Sequence, residues 1–151
     1  MKFRNKFILL STVFLSISVM AYTPKLLLID QGYMEKQFLD EKSITRIDKS
    51  LMRVVIYEKY EYKKNDEYAR NYQSAIKTYI VDCPYKALSV GEAKFYSGQT
   101  SNSEMINRVQ NIYGMDGETG QSFEFYDDLT FESIKNSFVG QKIYKRVCIG
   151  K

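Results

Sequence analysis

Two cysteines and no others put the strongest constraint on this chain: Cys83 and Cys148 stand with 64 residues between them. What they do depends on the compartment, and the N-terminus speaks to that. Lys2, Arg4 and Lys6 precede an uncharged apolar run from Phe7 to Met20, and Val19 and Ala21 occupy the small-residue positions that a signal peptidase reads. This pattern predicts a signal peptide over residues 1–21, cleaved after Ala21. The apolar run covers about 14 residues, short of the roughly 20 that span a hydrocarbon core as a helix. In an exported chain two thiols meet an oxidising environment, so a single Cys83–Cys148 disulfide is expected. By chain entropy, closing a loop of that size stabilises the fold by roughly 4 kcal/mol, a large share of a typical margin of about 5–15 kcal/mol. Residues 22–151 are of a length that makes one domain.

Composition removes several classes of function. The chain has no His, which takes away the commonest general base, the commonest zinc ligand and any Ser-His triad. The formal net charge is +4, but the leader holds three of the 22 Lys and Arg and none of the 18 Asp and Glu. The remainder is close to neutral, which argues against nucleic acid as a partner, because counterion release needs a concentrated basic face. No cysteine precedes Cys83, so a bacterial lipid anchor has no thiol to build on, and no stable membrane anchor is expected after cleavage. No phosphate loop or nucleotide fingerprint is present, and no cofactor is expected. Asp116 and Glu118 lie in a glycine-containing stretch but miss the spacing of a calcium loop; they read as a turn, and no metal site is expected.

Along the mature chain the patterns are mostly those of strands. Leu26 to Ile29 reads as a short strand, and Phe38 to Ile47 as extended pieces around a turn at Asp40 to Lys42. Arg53–Tyr62 is the clearest strand, β-branched and aromatic without Gly or Pro, with Val54, Ile56, Glu58, Tyr60 and Tyr62 on one face. The polar stretch Lys63 to Asn71 reads as an exposed hairpin connection. Ser74–Cys83 and Lys86–Ser97 follow as strands, the second with a bulge at Gly91. A turn at Gly98–Ser103, a strand over Met105–Tyr113, a loop at Gly114–Gln121 and a strand at Ser122–Tyr126 complete the series. The period then changes: Ser137 fits a helix N-cap, and Ile143, Tyr144, Val147 and Cys148 share one helical face while Lys142, Lys145 and Arg146 point elsewhere. The fold class is therefore α+β, an antiparallel sheet of five to seven strands with a C-terminal α-helix packed on it and one disulfide.

The candidate chemistry is sparse. Asp127 and Asp128, with Glu124 and Glu132, form the densest acidic cluster, and a carboxylate-dependent hydrolase is one reading. Solvated turn residues are the plainer one. The chain also has 13 Tyr, several interleaved with Lys. Tyr60, Tyr62, Lys63, Lys64 and Arg70 are thus candidate binding residues, since Tyr offers stiff contact area with a polar tip; filling a half-wet sheet is the alternative use.

The segment FLDEKSI, the strand RVVIYEKYEY, the pair Asp82 with Cys83, the strand KFYSG, and the run through IKNS with Ser137 to Val147 and Cys148 together resemble the bacterial surface-adhesin protein E family over residues 36–149. The resemblance implies a twisted antiparallel sheet joined to a C-terminal helix by the disulfide, and a non-enzymatic, adhesin-like activity toward protein ligands such as extracellular-matrix or serum proteins. The expected destination is the periplasm, with the cell surface or the medium as others. A periplasmic accessory protein without a host ligand is the alternative that the missing lipid site favours.

Overall fold

The structure is a computed structural model that describes residues 21–150. The expected leader, but for Ala21, lies outside the described residues. These form a seven-stranded antiparallel sheet and a two-stranded hairpin. The strands are β1 (Leu26–Gln31), β2 (Glu35–Arg46), β3 (Leu51–Lys64), β4 (Tyr72–Asp82), β5 (Ala87–Tyr96) and β6 (Met105–Gln110), each beside its neighbour in sequence. The short β9 (Glu132–Ser133) adds to β5 beside Ala87 and Leu88, and β7 (Tyr113–Met115) pairs with β8 (Ser122–Glu124). A 3-10 turn at Ile134–Asn136 leads into α1 (Phe138–Tyr144), which continues as a π turn over Lys145–Ile149. None of the helices in the described residues is long and apolar enough to cross a membrane.

The long strand behaves as its alternation dictates. Val54, Ile56, Glu58 and Tyr60 are buried on one face of β3, and the chain emerges into solvent at Glu61. Their neighbours divide the core in two. Leu39, Val54, Ile56 and Val81, with Ile29, receive Ile143 and Val147 from the C-terminal helix. Tyr60, Tyr72, Ala75, Ala93 and Phe95 form a second, aromatic cluster closed by Ala69 from the β3–β4 connection. Burying side chains of the Ile143 or Val147 kind contributes roughly 1.5–3 kcal/mol each, which explains why a seven-residue helix that would be marginal alone is stable here.

Three devices hold that helix. Ser137 caps it, its side chain accepting the Gly140 N–H at 2.9 Å. Cys148 bonds to Cys83 just past the end of β4, with Cα atoms 5.7 Å apart, inside the range a disulfide spans without backbone movement. On the other flank Lys142 donates to the Ile29 carbonyl and faces Asp30 at 3.8 Å, and Arg146 pairs with Glu41. These two cations lie off the apolar face, as the helical spacing predicts, and they reach the acids of β1 and β2.

Several expectations need correction. The turn at Asp40–Lys42 is absent; β2 runs through it, and the register with β3 slips between Asp40 and Thr45. Asp40 is fully buried there, its Oδ1 accepting from the Lys25 and Lys42 amides and its Oδ2 from the Tyr22 hydroxyl at 2.5 Å. Ser43 Oγ donates to the Asp40 carbonyl and accepts the Val55 N–H, so a side chain replaces the backbone across the irregularity. Turn-forming residues have been used to build a bulge inside a strand. The strand expected over Met105–Tyr113 breaks at Asn111 and Ile112 into β6 and the start of β7; Gly114 and Met115, expected in a loop, belong to β7; and the strand expected at Ser122–Tyr126 ends at Glu124.

The bulge at Gly91 is present: Thr78 pairs with Glu92 and Tyr79 with Val90, leaving Gly91 as the extra residue. A Cβ there would lie 2.9 Å from Ile112 Cγ2 and 3.2 Å from Ile80 Cγ1, and both isoleucines are fully buried. Gly91→Ala should therefore lower unfolding free energy in urea by about 1–3 kcal/mol, the usual cost of overpacking; unchanged stability would show that Ile112 does not seal this bulge.

Candidate binding surface at the loop end of the sheet

In an antiparallel meander, alternate connections leave from the same end of the sheet. The β1–β2 turn at Gly32–Met34, the β3–β4 connection and the β5–β6 turn are thus neighbours. Glu61 N–H donates to the Met34 carbonyl at 2.9 Å, and the Gln99 amide donates to the Tyr60 carbonyl at 3.3 Å.

The β3–β4 connection, the most polar stretch of the domain, is built by its own short side chains. Asp66 Oδ1 accepts the Tyr68 and Ala69 N–H groups, each at 2.9 Å, and Oδ2 accepts the Tyr72 hydroxyl at 2.5 Å. Asn65 Oδ1 takes the Asn71 N–H at 2.7 Å, and Asn71 itself adopts φ 59°, a conformation Asn tolerates. Burial would raise the Asp66 carboxyl, but the Tyr72 hydroxyl and the two amides outweigh it and hold the group below its ordinary range. Tyr68 is half exposed and stacks on Phe95, ring centroids 6.4 Å apart at 13°.

The candidate binding residues separate into two groups. Tyr60 is 2 % exposed. Its hydroxyl donates to Glu58 Oε2 at 2.7 Å, and its ring meets Tyr72 edge-on at 5.6 Å. It supports the surface and does not form part of it. Lys64 is half-buried, its Nζ 4.4 Å from the centre of the Tyr60 ring. Tyr62, 46 % exposed, Lys63 and Arg70 remain open to solvent. Tyr33, 91 % exposed, Met34, exposed beside it, and Tyr68, 50 % exposed, join them although the sequence did not single them out. The signal was present in an aromatic residue directly after the turn glycine Gly32.

Glu58, not a candidate from the sequence, is a carboxylate 4 % exposed beneath this end. Lys77 Nζ lies 2.8 Å from its Oε2, so the charge is paired. A lone acid among Val54, Ile56 and Tyr60 on an inward face was the clue. The second acidic region is arranged differently from a catalytic pair built on Glu124. Glu124 accepts the Tyr126 hydroxyl at 2.6 Å and pairs with Arg53 at 2.5 Å, and these two hold its carboxyl below the usual range. Asp127 is exposed, and Asp128 lines a separate cleft with Glu132. Asp116 accepts the Glu118 and Thr119 amides at 2.9 and 2.8 Å and so forms a turn. Among the described residues no group of three or more His, Cys, Asp or Glu is placed to hold a metal ion.

Burial, then the Glu58 carboxylate, pushes the Tyr60 phenol far above its ordinary 10.0; burial, then the bond to Asp66, does the same to Tyr72. Both stay protonated in the folded chain where unfolded tyrosine ionises. Their contribution is complete below about pH 10 and is lost as pH rises above it, at about 1.4 kcal/mol per pH unit for each. Urea unfolding between pH 9 and 11 should show this fall, and Tyr72→Phe should lessen its slope by one proton; an identical slope in the variant would contradict the assignment. The chain matches no family model, no curated protein and no solved structure.

Proposed function

We propose that this chain is an exported, non-enzymatic binding domain, adhesin-like in its mode of action, that engages a protein ligand through the loop end of its sheet. One observation carries the reading: Tyr33 and Met34 in the β1–β2 turn, Tyr62 near the end of β3 and Tyr68 in the β3–β4 connection are large side chains exposed at one end of the sheet. Scattered exposed apolar residues need no explanation; a group of tyrosines on loops over a rigid scaffold is the composition of a recognition surface. Tyrosine supplies wide contact area with two side-chain torsions to immobilise, so it costs less entropy than a longer chain of similar reach.

The base of the surface is stiff. The Asp66 and Asn65 bonds fix the connection, and Tyr60, Tyr72 and Phe95 pack below it with Tyr72 and Phe95 edge-on at 5.0 Å. Lys63 and Arg70 add positive charge at the rim, which acts chiefly on encounter rate and salt dependence. The Cys83–Cys148 bond supports the export part of the reading.

Binding to immobilised laminin and vitronectin tests the proposal. Tyr33→Ala combined with Tyr62→Ala should weaken binding by about 30-fold or more, the effect of losing central aromatic contacts. Lys63→Glu with Arg70→Glu should slow association several-fold at low salt and little at high salt. Wild-type and variant chains that bind alike, or a wild type that binds neither protein, would count against this surface.

A further inference from the structure

On the sheet face that carries α1, a cleft of about 740 Å³ opens between Tyr68 of the β3–β4 connection and Ser137 at the helix cap. That volume falls within the roughly 300–1,000 Å³ of small-molecule sites. Its floor includes Tyr79 and Val90, cross-strand partners in β4 and β5. Its outer wall is the segment after β8, with Phe125 and Leu129 as apolar faces and Asp128, Thr130 and Glu132 as polar ones.

Some acids of this chain are paired with a cation, and the two that line this cleft are not. Glu41, Glu58, Glu92 and Glu124 are each met by Lys or Arg. Asp128 and Glu132 have no such partner within 4.0 Å among the described residues, and no Lys or Arg lines the cleft. Asn111 spends its amide nitrogen on the Val90 carbonyl at 2.9 Å, which leaves its side-chain oxygen as an acceptor. Ser137 accepts the Gly140 N–H, which leaves its hydroxyl proton to donate.

We propose that this cleft binds a short neutral or amino-bearing oligosaccharide. A sugar ring has apolar C–H faces and an edge of hydroxyls that donate and accept together. Tyr79 and Phe125 offer faces to the first, and Asn111, Thr130, Ser137 and the two carboxylates offer acceptors and donors to the second. The acids exclude sulfated or uronate sugars by repulsion and favour an amino group. A cationic peptide would satisfy the carboxylates but leave the aromatic and hydroxyl lining unused. The cleft borders the loop end at Tyr68 but takes a different ligand class, so the two proposals are tested with different ligands.

Titration of the ¹⁵N-labelled chain with N-acetylglucosamine trimer, glucosamine trimer, trilysine and a sulfated disaccharide tests it. Amide shifts at Tyr79, Asn111 and Asp128 are expected with both trimers and with neither of the other probes. Asp128→Asn with Glu132→Gln should weaken the glucosamine trimer at least tenfold and the acetylated trimer less. Phe125→Leu, which keeps apolar bulk without the ring, should weaken both by about tenfold, and its spectrum reports at once whether the fold is intact. Shifts confined to the loop end, binding of trilysine in place of the trimers, or no shift with either trimer would overturn the proposal.

Discussion

A seven-stranded sheet has two faces, and the covering of one of them by a short terminal helix is what the rest of this structure depends on. The helix is too short to persist alone, yet Ile143 and Val147 from it complete the cluster around Leu39, Val54, Ile56 and Val81. The Cys83–Cys148 bond converts this docking from a contact between distant parts of a chain into a local one, worth roughly 4 kcal/mol in loop entropy. Because Cys83 follows β4 while Lys142 and Arg146 reach β1 and β2, the helix straps the β1–β4 part of the sheet. The order of the strands then places three connections at the other end of the sheet, where Tyr33, Tyr62 and Tyr68 are exposed.

Between the helix-covered core and the aromatic core lies the Glu58–Lys77 pair. Removing either partner would strand a buried charge, which is far more costly than the pair is favourable. The pair also marks register. A slip of one residue between β3 and β4 would turn the face bearing Val54, Ile56, Glu58 and Tyr60 outward, so the ionic pair and the apolar alternation enforce the same alignment. The paired tyrosines extend that logic to the β3–β4 connection, since the Tyr72 hydroxyl holds Asp66, and Asp66 holds the backbone on which Tyr68 stands.

Much of this was legible in the residues. Period-two burial marked β3, the cysteine count marked the disulfide, and Ser137 with three- and four-residue apolar spacing marked the helix. Gly91 marked a bulge because a glycine in a strand signals close approach, here of Ile112 and Ile80. What failed did so for identifiable reasons. Asp40 and Ser43 are turn formers, and only the Val55 N–H of β3, which donates to Ser43 Oγ in place of a backbone carbonyl, reveals that they build a bulge. Tyr60 and Tyr62 are chemically alike in the sequence, and their opposite fates depend on Tyr72, Phe95 and Ala69 arriving from distant strands and loops over one of them. Tyr33 joins the loop end only through the register of β2 on β3, which no local pattern encodes. The cleft by Asp128 is likewise a product of tertiary placement.

Amide hydrogen exchange on the oxidised and the reduced chain tests directly whether the strapped helix governs its half of the sheet. Reduction should accelerate exchange through residues 138–149 and at Val54, Ile56 and Val81 beneath them, while Tyr72 and Phe95 in the aromatic half keep their protection. Equal acceleration in both halves, or none in the helix, would contradict the account.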